Sequence, residues 1–422
     1  MIENKRVVKY VSFDNTIRFP SKINSFIIAD FASSISEFQK RRPNDLLTLN
    51  FSAVMNAYSN GMLPIIATVT DLRRKGQKIR VDFPNDNNVR KIFIANNWGH
   101  YLSPEHTKIS ESTHDKHLVT RQFSDYKDLG WITKDFMDIV LRNMRISKDI
   151  ISALEWSMYE LCDNVLNHSE SKIGGFVQVI TFAKQDMISF GVADAGRGIL
   201  SSLKEGIPTL STDVQAIGEA IKAGVTRNKE KGQGNGLAGS LRVTTMTGGS
   251  LDIISGKGRF IATSNDNSHT QGDRFQSFQG TSVHGQIKMN NKFSIEKALD
   301  FGGPFKYVAV NTIDLDYEMP DQNCLLVKMN SETTGLGTRH AGKQMRNKII
   351  NFVNSKPTHP IIIDWSGIPV ISSSFADEYM GKLFLELGPL GFSSHIRNKN
   401  MEDLVHNLLD KAISQRLTQA ND

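Results

Sequence analysis

The stretch ALEWSMYELCDNVLNH, from Ala153 to His168, decides the fold of the central part of the chain. Its apolar residues recur at the spacing of one helix face, and this pattern predicts an amphipathic helix. Glu160, Asn164 and His168 follow one another at intervals of four residues, which places their side chains on one stripe of that helix. Taken alone, Glu-x-x-x-Asn on a helix is more typical of a solvated face.

Mg²⁺ would explain the polar stripe, because this hard cation takes oxygen ligands and usually few of them come from the protein. The side-chain oxygen of Asn164 can be such a ligand. Glu160 lies one turn earlier, where it is placed to orient and deprotonate a water or a hydroxyl that attacks a phosphate group. General-base assistance of this kind accelerates a reaction roughly 10²–10⁴-fold.

A second motif, DAGRG from Asp194 to Gly198, follows an apolar run over residues 188–192 that reads as a buried strand. A carboxylate at the end of a buried strand can accept a hydrogen bond from an exocyclic amino group, which is compatible with adenine. The two glycines of the motif let the backbone turn and approach a flat ligand closely. The alternative interpretation of Asp-x-Gly-x-Gly is a plain turn.

A third motif, GQGNGL from Gly232 to Leu237, precedes a helical pattern over residues 238–246. A glycine-rich loop that opens a helix offers backbone N–H groups and the positive end of the helix dipole to phosphate groups. The motif differs from a P-loop, which would require Gly-Lys-Ser/Thr, and it lacks the preceding strand of a Rossmann fold.

The order and spacing of these motifs, closed by Gly280-Thr281 before a strand-like run over residues 283–289, resemble the gyrase, chaperone, histidine-kinase and MutL (GHKL) superfamily of ATPases. The resemblance covers about residues 129–290 and implies that the chain binds ATP with Mg²⁺. It implies that Glu160 is the catalytic base and that Asn164 holds Mg²⁺. The residues that it implies for cofactor binding are Asn164, Asp194, Gly196, Gly198, Gly232, Gly234, Gly236, Leu237 and Thr281.

Within the superfamily, the stretch over residues 220–226 and the spacing of Asn164 and His168 are most similar to the anti-sigma-factor serine kinases. Residues 207–231 would then be a mobile lid over ATP. No His-Glu-x-x-x-Pro helix precedes the domain, so sensor histidine kinases fit less well. For His168 a packing or hydrogen-bonding role is favoured over phosphoacceptor or metal ligand. The resemblance also implies a homodimer.

The regions on either side of this centre alternate strands and helices, which is typical of α/β layers. In the first region we predict strand 7–11, helix 21–38, strand 46–51, helix 61–75, strand 79–83 and helix 89–97. In the last region we predict helix 339–354, strand 361–365, helix 374–387, a short strand near residue 395 and helix 401–415. The two regions share the same order of elements, which suggests related folds.

Two segments of these regions align without a gap, LTLNFSAV over residues 47–54 and IIIDWSGI over residues 361–368. Both resemble STAS domains, the family of anti-sigma-factor antagonists, in which an apolar strand and an aspartate precede Asp-Ser-x-Gly at a helix start. In that register the family's phosphorylatable serine falls on Ser59 and on Ser373. These two serines are therefore candidate phosphoacceptors.

The sequence departs from the STAS pattern around both serines. Tyr58 and Ser372 stand where the family has its aspartate, and Phe375 replaces the family glycine in the last region. The alternative interpretation is that Ser59 and Asn60, and the serines at 372–374, are helix N-caps, since hydroxyl and amide groups satisfy free N–H groups of a first turn.

Composition limits the classes of protein to consider. The 422 residues exceed one comfortable core, and the net charge of +6 is too small to favour nucleic acid as a partner. The two cysteines are far apart and have no metal-ligand spacing, which suits a reducing compartment. No run approaches the ~20 apolar residues of a membrane span. We therefore expect a cytoplasmic protein without membrane association.

Together these patterns predict an α/β protein with a central two-layer GHKL sandwich, helices on a mixed sheet, between two STAS-like α/β domains. The expected boundaries are residues 1–115, 116–292 and 300–422. The leading hypothesis is an enzyme that hydrolyses ATP or phosphorylates a serine in its own STAS-like domains or in a protein partner. The alternative is an ATP-gated interaction switch with negligible turnover. A structural or nucleic-acid-binding protein with a vestigial pocket would require a motif residue to be missing, and none is.

Overall fold

The structure, a computed structural model, describes residues 15–109, 117–222, 224–225, 235–271, 277–289, 292–302, 311–332 and 335–419. The chain divides into two compact units, of which the first comprises Met1–Phe136 with Trp156–Tyr307 and the second Met137–Glu155 with Val308–Asp422. The strand predicted over residues 7–11 lies outside the described residues, and the division into three domains stays a prediction. Among the helices of the described ranges, none combines the length and apolar character that crossing a bilayer requires.

The first part of the first unit is a small α/β layer, as expected. Its strands are β1 (Thr16–Arg18), β2 (Lys22–Ile23), β3 (Leu47–Asn50), β4 (Asn56–Ala57) and β5 (Ile79–Asp82). Its helices are α1 (Ile28–Arg41), α2 (Ser59–Arg74), α3 (Asn87–Ala95) and α4 (Trp98–Leu102). Strands β1, β3 and β5 pair in parallel in that order, with helices as the crossover connections.

Most elements predicted for this part are confirmed, but the first helix starts later than expected. The pattern predicted a helix from Ser21, whereas α1 begins at Ile28. Asn24 accepts a hydrogen bond from the backbone N–H of Phe26 and so caps a short 3₁₀ turn that precedes α1. The residues before this cap form β2 instead of a helix, because β2 pairs in parallel with β4.

The central part of the first unit is a seven-stranded sheet in the order β11-β10-β9-β12-β8-β7-β6. Its strands are β6 (His117–Phe123), β7 (Gly175–Phe182), β8 (Met187–Asp194), β9 (Ser250–Gly256), β10 (Gly258–Thr263), β11 (Asn267–Gln271) and β12 (Phe278–Lys288). Every described neighbour pair is antiparallel, so the expectation of a mixed sheet is wrong for these strands. The physical reason is that hairpin connections such as those joining β7 to β8 and β9 to β10 reverse the chain direction.

The helices between and after these strands are α5 (Tyr126–Asn143), α6 (Lys148–Asn164), α7 (Gly198–Leu203), α8 (Asp213–Ala220), α9 (Gly236–Met246) and α10 (Ile295–Ala298). The end of α5 and the start of α6 belong to the second unit. Helix α6 continues into a π-helical turn, Val165–Ser169, which contains His168. Helix α9 packs against β9 and β12. The predicted strand before Asp194 and the predicted helices at α6 and α9 are thereby confirmed.

One core joins the α/β layer to the central sheet within the first unit. Helix α2 packs on the sheet face that carries Gly191 and His284, where a Cβ added to Gly191 would lie 3.0 Å from Leu63 Cδ1. Polar groups on the sheet are paired with the layer as well, since Trp98 Nε1 donates to Gln178 Oε1 at 3.0 Å. Because side chains alternate along a strand, the apolar neighbours of Gly191 point to the opposite face.

The second unit contains a four-stranded sheet in the order β13-β14-β15-β16. Its strands are β13 (Glu318–Met319), β14 (Cys324–Lys328), β15 (Ile361–Asp364) and β16 (Ile396–Lys399). Its helices are α11 (Thr312–Asp316), α12 (Met329–Glu332), α13 (Arg339–Ser355), α14 (Ser373–Ala376), α15 (Lys382–His395) and α16 (Asp403–Gln419). Strands β14, β15 and β16 are parallel, whereas β13 pairs antiparallel with β14. The sequence patterns missed β14 and predicted the other long elements.

Candidate functional site

Helix α6 carries Glu160 and Asn164 in partly buried positions. Burial raises the pKa of Glu160 to about 7, and the nearby Asp163 carboxylate adds to this effect. The Nδ2 atom of Asn164 is buried and has no hydrogen-bond partner among the described residues. A buried polar group without a partner is costly and is characteristic of sites that bind a further molecule or ion.

Helix α9 begins directly against these two side chains. A Cβ added to Gly236 would lie 2.6 Å from Glu160 Oε2 and 3.3 Å from Asn164 Nδ2, so any larger residue would have to displace the Glu160 carboxylate. One turn later, a Cβ on Gly239 would lie 2.1 Å from Trp156 Cη2. The two glycines therefore bring the positive end of the α9 dipole to the polar side chains of α6.

Asp194 ends β8 and is 3% exposed. Its Oδ1 atom accepts a hydrogen bond from the backbone N–H of Gly196 at 2.7 Å. Burial raises the pKa of Asp194 to about 7, and backbone hydrogen bonds from Gly196 and Thr281 oppose that rise. This bond from residue i+2 to the aspartate side chain is an Asx-type turn, and it fixes the carboxylate in a buried position.

The glycines after Asp194 attach this motif to the end of α6. A Cβ on Gly196 would lie 2.1 Å from the carbonyl oxygen of Ser169, and the backbone N–H of Arg197 donates to that same oxygen at 2.8 Å. Gly198 has φ +77°, a left-handed conformation that favours glycine, and it begins α7. The second motif thus meets the turn that follows Asn164.

Thr281 lies beside a serine that the sequence motifs did not single out. Ser255 Oγ is 3.2 Å from Thr281 Oγ1, accepts from the backbone N–H of Ile199 at 2.8 Å and donates to the carbonyl oxygen of Gly280 at 3.2 Å. It therefore links β9, β12 and the start of α7. A serine near a strand end carries no local signal of such a role.

The glycine loop and the lid are described in part. Gly232 and Gly234 lie outside the described residues, as do residue 223 and the end of the predicted lid. Within the lid, α8 starts with a capping box formed by Thr212 and Gln215. Leu237 packs against a small apolar cluster of α7 and α8 that includes Leu203.

Ser59 and Ser373, the candidate phosphoacceptors, lie in different environments. Ser59 is 5% exposed, and its Oγ is 3.1 Å from His284 Nε2, which also lies 3.0 Å from Ser189 Oγ. Ser373 is exposed at the start of α14.

The N-cap interpretation is right for one of the serines. Ser372 accepts a hydrogen bond from the backbone N–H of Phe375 at 3.0 Å and caps α14. It is wrong for Ser59 and Asn60, because Tyr58 occupies the N-cap position of α2 and no side chain makes the capping bond there. The Ser59 hydroxyl is instead engaged with His284.

Comparison with known proteins identifies one region. A family model described as a STAS-like domain of unknown function (DUF4325) matches residues 341–406. The matched segment runs from α13 through β15, α14, α15 and β16 into α16. The chain therefore carries a STAS-like domain in its C-terminal part, as the sequence pattern predicted. No curated protein matches the chain.

Proposed function

We propose that the central part of the chain binds ATP with Mg²⁺ as a GHKL-type ATPase, and that it hydrolyses ATP or transfers the γ-phosphoryl group to serine. The observation that carries this proposal is the convergence of three motifs, distant in sequence, on one helix. Gly236 abuts Glu160 and Asn164, and Gly196 abuts the turn that follows them.

The residues present fit a magnesium nucleotide. The Asn164 amide offers an oxygen ligand, and its Nδ2 atom is buried without a partner in the described part of the chain. The start of α9 offers backbone N–H groups to phosphate oxygens. When bound, Mg²⁺ would neutralise part of the phosphate charge.

Glu160 and Asp194 would have different tasks. Glu160, with a pKa of about 7, can accept the proton of an attacking water or serine hydroxyl near neutral pH. The new bond joins that oxygen to the γ-phosphorus, and ADP leaves. Asp194 is held by backbone N–H groups at the end of a buried strand, where its carboxylate can accept a hydrogen bond from the adenine amino group.

The first part of the chain supports a second STAS-like fold. Asn50 Oδ1 accepts from Ser52 N at 2.9 Å and from Ser52 Oγ at 2.6 Å. In the STAS-like domain Asp364 Oδ1 accepts from Ser366 N at 3.0 Å and from Ser366 Oγ at 2.7 Å. Each pair follows the central strand of three parallel strands, β3 or β15. From this likeness we propose that the serine substrate belongs to the chain's own STAS-like domains or to a protein partner that binds them. The GHKL resemblance adds the proposal that the active form is a homodimer.

One observation favours an ATP-gated interaction switch with negligible turnover as a second candidate function. Ser59 is buried against His284, so no protein kinase could reach it while α2 stays packed on the sheet. The first STAS-like part would then act through docking and release.

Titration calorimetry with Mg-ATP tests the binding proposal. Asn164→Ala and Asp194→Asn are expected to weaken binding roughly tenfold or more, by analogy with the loss of groups that support a metal site. Asn167→Ala is the matched control, because Asn167 bonds outward to Tyr126 and Asp163. Wild-type protein that binds no Mg-ATP, or variants that bind as tightly as the wild type, would refute the proposal.

A further inference from the structure

A segment of nineteen residues, which precedes the nucleotide motif residues and separates two stretches of the first unit, belongs to the second unit. It is Met137–Glu155, here called the coupling segment, and it contains the end of α5 and the start of α6. Helix α6 runs without a break from Lys148 to Asn164, and its remainder from Trp156 belongs to the first unit. The helix that carries Glu160 therefore starts inside the unit that holds the STAS-like domain.

A buried asparagine of the STAS-like domain holds the turn of the coupling segment. Asn351, on α13, is 0% exposed. Its Nδ2 donates to the carbonyl oxygens of Leu141 and Met144, each at 2.8 Å, and its Oδ1 accepts from the backbone N–H of Ile146 at 3.1 Å. These bonds satisfy backbone groups where α5 ends, which have no partners within the helix.

A buried ion cluster also holds the coupling segment, and it is centred on Lys348, which lies one turn before Asn351 on α13. Lys348 Nζ is 2.6 Å from Asp138 Oδ1, 2.8 Å from Tyr317 Oη and in contact with the Glu332 carboxylate. Arg142 Nε is 2.8 Å from Asp138 Oδ2. Burial alone would lower the pKa of Lys348, but these acidic partners raise it above its ordinary value. The ammonium group therefore stays charged and paired.

A third attachment lies on α6 itself, at the last residue of the coupling segment. Glu155 Oε2 accepts a hydrogen bond from the backbone N–H of Thr312 at 2.9 Å, and its other oxygen contacts the Thr312 hydroxyl. Asn311 Nδ2 donates to Ser152 Oγ at 3.4 Å. The second unit thus fixes α6 up to the residue before Trp156.

We infer that Asn351 is a positioning residue for Glu160 and Asn164, acting through the coupling segment, so that the STAS-like domain regulates the nucleotide site. This inference rests on the proposed function for the identity of the regulated site. The physical basis is that a continuous helix transmits a change of position or order along its length. A change in the STAS-like domain that loosens Asn351 from the turn would loosen α6 at Glu160.

Hydrogen exchange followed by mass spectrometry, on the full chain with Asn351→Leu, tests the inference without nucleotide. Leucine keeps the volume of asparagine but makes none of its three bonds. Amides of residues 156–169 are expected to exchange about two- to thirtyfold faster than in the wild type, the range of effects that mutations between coupled sites produce. Asn354→Leu is the matched control, since Asn354 is exposed on the same helix.

Mg-ATP binding is the second measurement, with an expected loss of affinity of about two- to thirtyfold in Asn351→Leu and none in Asn354→Leu. Unchanged exchange over residues 156–169 in folded Asn351→Leu would overturn the inference. If wild-type protein binds no Mg-ATP, the proposed function fails. The exchange result still decides whether the coupling segment transmits a change at Asn351 to residues 156–169. If Asn351→Leu does not fold, Thr312→Val replaces it, because valine loses only the hydroxyl that contacts Glu155.

Discussion

At the scale of single residues, His284 is a buried histidine whose surroundings oppose its charge. Its ring bonds two serine hydroxyls, Ser59 and Ser189, which lie on different elements. Burial lowers the pKa of His284 to about 4, although the Asp252 carboxylate acts in the opposite direction. The imidazole is therefore uncharged at neutral pH, and its hydrogen bond to Ser59 links α2 to the sheet.

The stability of the fold should depend on pH through His284. Its pKa is lower in the folded protein than its ordinary value of 6.5, so the unfolded chain takes up a proton first as the pH falls. The free energy of unfolding is expected to decrease between pH 6.5 and pH 4, by up to about 3 kcal/mol from this residue. Urea unfolding of wild-type protein and His284→Gln at several pH values measures this decrease in the free energy of unfolding.

The free energy of unfolding of His284→Gln should change less between pH 6.5 and pH 4 than that of the wild type, whatever the absolute stability of the variant. His406→Gln is the control, since His406 is exposed on α16. Equal slopes in wild-type protein and His284→Gln would contradict the assignment.

At the scale of elements, small residues set the distance between α6 and α9. Gly236 and Gly239 lie on the side of α9 that faces α6, where a Cβ would displace the Glu160 carboxylate or overlap the Trp156 ring. Glycine inside a helix costs roughly 1 kcal/mol relative to alanine, so this close approach is obtained at the expense of helix propensity. The same approach directs the α9 N-terminus at Glu160 and Asn164.

Gly239→Val should separate the two helices. The valine side chain would overlap Trp156 and displace the start of α9. This overlap is expected to lower the free energy of unfolding by about 1–3 kcal/mol. We expect a loss of Mg-ATP affinity and partial recovery in Gly239→Val with Trp156→Ala. Gly130→Val in α5 is the control for glycine replacement, because a Cβ there would meet no atom within 4 Å. Normal Mg-ATP binding by Gly239→Val would show that the spacing of these helices is unimportant.

At the scale of the whole molecule, the chain joins a candidate nucleotide site to a STAS-like domain whose serine is accessible. Ser373 is exposed at the first residue of α14, whereas Ser59 is buried in the first unit. The STAS resemblance predicts the family's phosphorylatable serine at both positions of the gapless alignment. Accessibility therefore distinguishes two candidate phosphoacceptors that the alignment treats alike.

Incubation with γ-labelled ATP and Mg²⁺ should label Ser373 and leave Ser59 unlabelled. The reason is that a phosphoryl group cannot reach a hydroxyl buried between α2 and the sheet. Label on the protein should be lost in Ser373→Ala and in Glu160→Gln, and retained in Ser59→Ala. Free phosphate without protein label would indicate hydrolysis, whereas label on Ser59 would contradict the role of burial.

Local patterns were sufficient for the elements that form the candidate site. Helix α6, strand β8 and helix α9 each have a periodicity contained in one short window, and Glu160, Asn164 and Asp194 occupy the expected places on them. The elements that the sequence patterns missed depend on pairing between distant parts of the chain. Strand β1 is three residues long and is stabilised by pairing with β3, which is distant in the chain, so no local pattern reveals it.

The sequence by itself determined the α/β character, the three motifs and the C-terminal STAS-like domain, because helix periodicity, glycine loops and family patterns are properties of neighbouring residues. Only the tertiary structure decided the antiparallel sheet order and the burial of Ser59 against His284. It alone joined Asn351 to the coupling segment. These features depend on which distant residues meet, and that depends on the path of the whole chain.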